Sequence, residues 1–301
     1  MMNRRSALQR IAALAAFGGL GGLTGCAEFG DGYSPAATPR FAPIQWPQGR
    51  PKTALILGSG GPRGFAHIGV LKALEAASIE PALIVGSSAG SIAGALYAAR
   101  ISAVEIERRA LDLGFREIAD PALFNPTRFI GRALQNFVNA AVGERTIETL
   151  PRRFCAVAAL VGKNELAAFT SGNTGAAVRA SAALPSIFRP TYIAGVAYED
   201  CDMVSPVPIR IARALGATRV VAVDVSAFLE DTPDGMPQRW ILRDAERRAI
   251  IDTEAKDADL LLRIRLPYYA GASREYRETV IGLAESQSRG AIDRIAAALR
   301  E

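Results

Sequence analysis

Residues 53–90 read TALILGSGGPRGFAHIGVLKALEAASIEPALIVGSSAG. Thr53–Leu57 is a short apolar run closed by glycine, the pattern of a buried strand. From Gly64 to Ala77, Phe65, Ile68, Val70, Leu71 and Leu74 recur at helical spacing. Ala82–Val85 is a second short apolar run, and Gly90–Ala99 an alanine-rich helix. A strand–helix–strand–helix beginning argues for an α/β fold, an open and mostly parallel sheet with helices on both faces. Working outward, the same patterns predict strands at Phe154–Leu160, Leu166–Thr170, Arg219–Val225 and Leu260–Ile264. They predict helices at Ala103–Leu113, Arg128–Val142, Thr174–Ser181, Pro208–Leu215, Trp240–Lys256 and Arg274–Leu299. No internal repeat or second linker interrupts this body, which reads as one domain over 52–301.

Ligands of open α/β sheets bind at the carboxyl ends of strands, so the two loops that follow the first two strands are the places to look. The first is Gly58-Ser59-Gly60-Gly61-Pro62-Arg63-Gly64. It lacks the glycine spacing and the second-strand acid of a dinucleotide site, and the Gly-Lys-Ser/Thr of a phosphate loop. Glycine amides ahead of a helix can instead stabilise a developing oxyanion. The second loop is Gly86-Ser87-Ser88-Ala89-Gly90, a G-x-S-x-G between strand and helix. Glycine two before and two after the serine removes side chains that would collide in so sharp a turn, and leaves Ser88 as an exposed nucleophile.

A serine nucleophile needs a base. The chain has a single histidine, His67, which precedes Ser88 and shares a helix face with Leu71 and Leu74. A Ser–acid–His order is therefore absent. His67 reads as a core or capping residue, and a carboxylate is left as the base.

These segments resemble the patatin-like phospholipases. Gly60-Gly61-Pro62-Arg63-Gly64, with His67-Ile68-Gly69-Val70-Leu71 after it, resembles the oxyanion segment of that family. Gly86-Ser87-Ser88-Ala89-Gly90 resembles its nucleophile elbow. Ala180-Ser181-Ala182-Ala183-Leu184-Pro185, with Phe188 and Pro190, resembles a further block. Tyr198-Glu199-Asp200-Cys201-Asp202-Met203-Val204-Ser205-Pro206-Val207-Pro208 resembles the segment that carries the family's aspartate. The resemblance implies a patatin-like variant of the α/β hydrolase architecture and a Ser–Asp dyad without cofactor or metal. Ser88 would attack an acyl ester, Asp200 would act as general base, and Gly60, Gly61, Arg63 and Gly64 would hold the oxyanion. The Arg63 side chain reads as a brace for the loop through an acid, with contact to a lipid phosphate as the alternative, and Ser181 and Ser186 read as helix-end and turn residues.

The chain departs from the family pattern twice. Where the family has Asp-Gly-Gly or Asp-Gly-Ala, this chain has Asp200-Cys201-Asp202; where it often has glycine, this chain has Ser59. Glycine permits φ > 0 and close backbone approach. A second carboxylate also perturbs the titration of the first. These departures keep a second expectation open, a non-catalytic lipid-binding lipoprotein that retains the fold. A hydrolase of soluble esters is a third. Cys155, in an apolar strand, reads as a buried free thiol, with a Cys155–Cys201 bridge as the alternative.

Residues 1–25 carry Arg4, Arg5 and Arg10, no acid, and an apolar run from Ile11 to Leu23 broken by glycines. The run is shorter than the roughly 20 residues of a bilayer span and reads as an export signal. Leu23-Thr24-Gly25-Cys26 resembles the lipobox of bacterial lipoproteins, which implies lipidation at Cys26. A plain secretory signal with a chance cysteine is the alternative. Asn3-Arg4-Arg5 fits a twin-arginine or an ordinary Sec route equally. Ala27 after the cysteine favours the outer membrane of a diderm envelope, facing the periplasm. The Pro-, Gly- and Ser-containing stretch over 26–51 reads as a flexible tether. The formal charge of +5 falls to +2 without the three N-terminal arginines, so nothing electrostatic points to nucleic acid. Half the residues are hydrophobic, which excludes a disordered chain, and three cysteines in 301 residues make no disulfide scaffold. The expected partners are a phospholipid or other acyl ester, and a membrane held through Cys26.

Overall fold

A computed structural model describes residues 33–46, 48, 52–114, 117–118, 120–122 and 125–300. The export signal over 1–25 and Cys26 lie outside the described residues. In chain order the strands are β1 (Thr53–Leu57), β2 (Leu83–Ser87), β3 (Pro121–Ala122), β4 (Asn125–Phe129), β5 (Arg153–Leu160), β6 (Leu166–Phe169), β7 (Thr191–Ile193), β8 (Val196–Glu199), β9 (Arg219–Asp224) and β10 (Leu260–Arg263). The α-helices are α1 (Ala66–Ala76), α2 (Ala89–Ala98), α3 (Ala103–Asp112), α4 (Arg132–Ala141), α5 (Thr174–Ser181), α6 (Ile209–Ala214), α7 (Gln238–Ala255), α8 (Arg274–Gly290) and α9 (Ile292–Leu299).

The main sheet runs β10-β9-β1-β2-β5-β8-β7, with β6 also paired to β5. The five strands from β10 to β5 are parallel, while β6, β7 and β8 add antiparallel pairs at one side. β3 and β4 form a separate two-stranded ribbon.

Period-2 alternation sorts the strand side chains into two cores. Leu55, Leu57, Ile84, Phe154, Ala156, Val221 and Val223 face α1, α2, α3, α4, α5, α8 and α9. Ala54, Ile56, Leu83, Val85, Cys155, Val157, Val220 and Ala222 face α6, α7 and the N-terminal segment. Strands buried on both faces read as continuous apolar runs, which is why β1, β2 and β9 are visible in the sequence. Helices do cover both faces, but unequally.

The thinner face is completed by the segment expected to be a free tether, and that expectation is corrected for residues 33–46. Phe41, Ile44 and Trp46 pack against the second core. Arg40 exchanges backbone hydrogen bonds with Ser171 at 3.1 Å each way, and the Ala42 amide donates to Thr170 Oγ1 at 2.6 Å. Trp46 Nε1 donates to the Leu215 carbonyl at 2.9 Å.

Three other boundaries move. The predicted helix over 128–142 starts at Arg132, because Gly131 (φ 83°) turns the chain and Asp120 accepts the Gly131 and Arg132 amides at 2.7 and 3.0 Å. The predicted helix over 274–299 breaks at Ala291, just after Gly290, into α8 and α9. The hairpin β7–β8 was not predicted; Ala194 (φ 50°) and Gly195 (φ 80°) supply the positive φ values that a two-residue hairpin turn requires. No helix among the described residues is long and apolar enough to cross a membrane.

Trp46→Ala should lower stability by about 1–3 kcal/mol, from lost packing and an unpaired Leu215 carbonyl. Urea unfolding of the two proteins side by side measures this; an unchanged midpoint would mean the strap contributes no net stability.

Candidate active site

β1 and β2 pair in parallel register, with Leu57 opposite Gly86, so the loops that follow them leave the sheet side by side. The first is pinned on several sides. The Gly58 amide donates to the Val223 carbonyl at 3.1 Å and the Ser59 amide to the Pro206 carbonyl at 2.8 Å. His67 Nε2 lies 2.7 Å from the Gly58 carbonyl. A carbonyl only accepts, so Nε2 carries the proton. Burial pushes the imidazole down to about 4, so His67 is a neutral brace for the loop.

The pinning decides which amides remain for a ligand. Gly60 and Gly61 amides make no hydrogen bond within the described residues, and Gly61 is exposed at φ 52°. The Arg63 amide, expected to help hold the oxyanion, donates instead to the Gly60 carbonyl at 3.1 Å in a 3-10 turn over Gly61–Phe65. The Arg63 amide is thus engaged within the loop, while the Gly60 and Gly61 amides stay open among the described residues. Gly64 packs against α2, where a β-carbon would overlap that of Ala89. The Arg63 guanidinium donates to the Tyr268 carbonyl and lies 5.9 Å from the Tyr268 ring centre. It ties the loop to the Tyr268 segment through a backbone carbonyl, where the sequence reading expected an acid.

The second loop is a strained strand-to-helix turn. Ser88 has φ 52° and ψ −124°, a conformation that side chains rarely adopt and that costs about 1–3 kcal/mol. Surrounding bonds over-determine it. The Ser88 amide donates to Ser181 Oγ at 2.9 Å, and the Ser88 carbonyl accepts from the Ser91 amide at 2.9 Å and Ser91 Oγ at 2.6 Å. Ser181 in turn donates to the Val157 carbonyl at 2.6 Å, so this helix-end serine ties the elbow to β5. Gly86 and Gly90 leave no room for β-carbons: one at Gly86 would meet the Gly90 carbonyl oxygen at 2.7 Å, and one at Gly90 would overlap the Leu57 carbonyl.

Asp200 follows β8 and reaches the same place. It is 5% exposed and Ser88 8%. Its Oδ1 accepts the Asp202 amide at 2.9 Å, while Oδ2 is buried and without a hydrogen-bond partner. The Ser88 hydroxyl faces this carboxylate closely enough to lower its pKa. Burial acts the other way and more strongly, and the neighbouring Asp202 charge adds to it, so the carboxyl is pushed up to about 7.

Cys201 and Asp202 fit where the family has small residues. Neither has positive φ. The Cys201 thiol is buried, 3.2 Å from Ser87 Oγ, and both Cys201 and Cys155 are free. Asp202 accepts from Ser59 Oγ at 2.5 Å, Arg247 Nε at 2.7 Å and Arg243 Nη2 at 2.8 Å. Neither arginine of α7 stands out in the sequence, since charges four apart on a helix read as a solvated face. No group of three or more His, Cys, Asp or Glu among the described residues is placed to hold a metal.

Comparison with known proteins gives the family. The patatin-like phospholipase family model matches residues 55–213, and the chain belongs to that family. An NTE family protein of Mycobacterium tuberculosis is 33% identical over 203 residues, which is 64% of this chain and 55% of that protein. The human patatin-like phospholipase domain-containing protein 6 is 33% identical over 201 residues, 63% of this chain and 15% of that one. "Lysophospholipase NTE1" of Coccidioides immitis is 34% identical over 187 residues, 60% of this chain and 12% of that one. The chain thus spans about half or less of the length of these relatives. Among solved structures, VipD from Legionella pneumophila shares the fold, with a TM-score of 0.57 at 12% identity over 84% of this chain and 70% of that chain.

A carboxyl raised in the folded state from 3.8 to about 7 favours folding at low pH and opposes it once ionised. Its stabilising effect is full below about pH 4 and is lost as pH rises through 7. Asp200→Asn should therefore be more stable than wild type at pH 8, with the gap closing towards pH 4. Thermal melts at the two pH values test the sign.

Proposed function

We propose that the protein is a serine acyl ester hydrolase that cleaves phospholipid or lysophospholipid esters with a Ser88–Asp200 dyad. The observation that carries this reading is one juxtaposition. A serine on a strained elbow faces a buried carboxylate with an unoccupied oxygen, beside two glycine amides that no described residue uses.

The chemistry follows from those parts. Ser88 Oγ attacks the ester carbonyl carbon as its proton passes to Asp200 Oδ2. An ordinary exposed Asp is too weak a base for this; one raised towards 7 is better matched to the task. The Gly60 and Gly61 amides take the negative charge of the tetrahedral intermediate. Collapse expels the alcohol, which Asp200 protonates, and leaves an acyl group on Ser88. Water then attacks the acyl carbon as Asp200 takes its proton; the bond to Ser88 breaks, Asp200 returns the proton to Ser88 Oγ, and the fatty acid leaves. The lysophospholipase named among the relatives supports a lipid ester over a soluble one. The fit of Cys201 and Asp202 in the site weighs against the non-catalytic alternative.

The anchoring belongs to the same proposal. Lipidation at Cys26 would hold the domain at a bacterial cell envelope, on the outer membrane facing the periplasm in a diderm, after export by the Sec or twin-arginine route. A lipid anchor keeps such a site at its substrate. Palmitate labelling of the full chain, lost in Cys26→Ala, checks this.

The test of the activity uses the full chain in detergent with a micellar phospholipid and a short-chain chromogenic ester. Ser88→Ala should lower turnover about a thousandfold or more, and Asp200→Asn about a hundredfold or more. Hydrolysis that survives in Ser88→Ala would rule out the assignment. In wild type, kcat/KM should fall as pH drops through about 7, where Asp200 takes up its proton. The ratio of the two substrates ranks lipid against soluble ester.

A further inference from the structure

Two of the three positions at which this chain departs from the family pattern touch each other. Ser59 lies in the glycine loop and Asp202 two residues beyond Asp200, yet Ser59 Oγ donates to Asp202 Oδ1 at 2.5 Å. Arg247 completes the join: its Nε donates to Asp202 Oδ1 at 2.7 Å, and its Nη2 to both the carbonyl and the Oγ of Ser59 at 2.8 Å. Arg243, one turn earlier on α7 and half-buried, donates to Asp202 Oδ2 at 2.8 Å. Asp202 itself donates its amide to Asp200 Oδ1 at 2.9 Å.

We propose that Asp202 is a positioning residue for the reaction: gripped by Ser59, Arg243 and Arg247, it locks the glycine loop to the base segment and keeps a fixed negative charge beside Asp200. The proposal rests on the Ser88–Asp200 reading above. Mechanically, one carboxylate holds together the oxyanion donors, one residue away at Gly60, and the base, two residues away. The distance between them is then set by side-chain bonds instead of by glycine backbone packing. Electrostatically, the charge is stable where it sits. Burial alone would raise the Asp202 carboxyl, but Arg247, Ser59 and Arg243 outweigh it and hold it below the usual Asp range. Asp202 thus stays ionised while its field disfavours ionisation of Asp200.

The charged and titratable groups around the pair are few. Arg243 and Arg247 face it from α7, the Ser59 hydroxyl from the glycine loop and the Ser88 hydroxyl from the elbow. The Cys201 thiol between the two acids is pushed further from ionisation by burial and by both carboxylates. Asp224 at the end of β9 acts on Arg247, and Glu254 acts on Cys201. A pair that only fastened α7 to the sheet would show in stability; one that also sets Asp200 moves the pH dependence of the reaction.

The test compares wild type, Asp202→Asn and Arg243→Gln, with the rate of Ser88 labelling by a fluorophosphonate and kcat/KM on a short-chain ester both followed against pH. Asp202→Asn keeps the shape and removes the charge. Its acid limb should move down by about one pH unit, and its plateau should fall about tenfold because the base is weaker. Arg243→Gln removes a compensating cation at the rim, so its limb should move up by a few tenths of a unit. Opposite shifts in two folded variants support the proposal. Limbs that stay in place, with activity falling only as melting temperature falls, overturn it. If Asp202→Asn does not fold, Arg243→Gln decides alone by the direction of its shift. A wild type that is neither labelled nor active overturns the dyad reading and this proposal with it. A labelled wild type with unmoved limbs overturns the positioning role alone.

Discussion

The site depends on one close approach of backbone to backbone. α2 starts over the end of β1, near enough that a β-carbon on Gly90 would overlap the Leu57 carbonyl. From the other side, Gly64 sits against Ala89 with the same lack of room. With Leu57 paired to Gly86, these contacts fix the glycine loop and the serine elbow at one height above adjacent strands. The positive φ of Ser88 follows from that geometry, since the chain must turn from strand to helix in one residue. Bonds from Ser91 and Ser181 to the Ser88 backbone offset the strain. The loop, the elbow and the first turns of two helices are therefore a single packed unit, and everything chemical is attached to it.

What is attached is mostly electrostatic. Asp200, Asp202 and Asp224 are buried close together, with Arg247 between them as the principal cation. The hydrogen bonds of Arg247 go to Asp202 and Ser59, and none goes to Asp200. The distribution matters more than the sum. A guanidinium bonded directly to Asp200 would hold its pKa low and leave a poor base. Bonded to Asp202 instead, Arg247 holds that neighbour ionised and leaves burial, with the Asp202 charge, to raise Asp200. In the proposed reaction this arrangement supplies the base that the one histidine, locked neutral beneath the glycine loop, does not.

Much of this was legible in the sequence, and the parts that were not share a physical cause. β1, β2, β5 and β9 are buried on both faces, so their apolar runs announce them. The elbow and the glycine loop are local motifs whose residue types are dictated by sterics. The strap over 33–46 was missed because its prolines set its local preference, while Phe41, Ile44 and Trp46 act only through a distant face of the sheet. The β7–β8 hairpin turns at Ala194-Gly195, where the usual Asn or Asp signal is missing. The engagement of the Arg63 amide was not legible because glycine content shows where a loop is permissive but not which amides its own turn consumes. Arg243 and Arg247 were invisible for the same reason as the strap: their partner is some forty residues away in sequence.

That last point bears on how departures from a motif are read. Taken one at a time, Cys201, Asp202 and Ser59 each weaken the likeness to the family, because each replaces a residue that backbone geometry favours. Taken in the fold, the last two are donor and acceptor of one hydrogen bond, and Arg247 binds both. A carboxylate in place of Asp202's glycine, without the arginines, would be an uncompensated buried charge. An arginine at 247 without the carboxylate would be the same error with the opposite sign. The three residues make physical sense only together. The departures are thus a substitution of one way of holding the loop by another, and a score that treats positions as independent counts as erosion what the packing shows to be replacement.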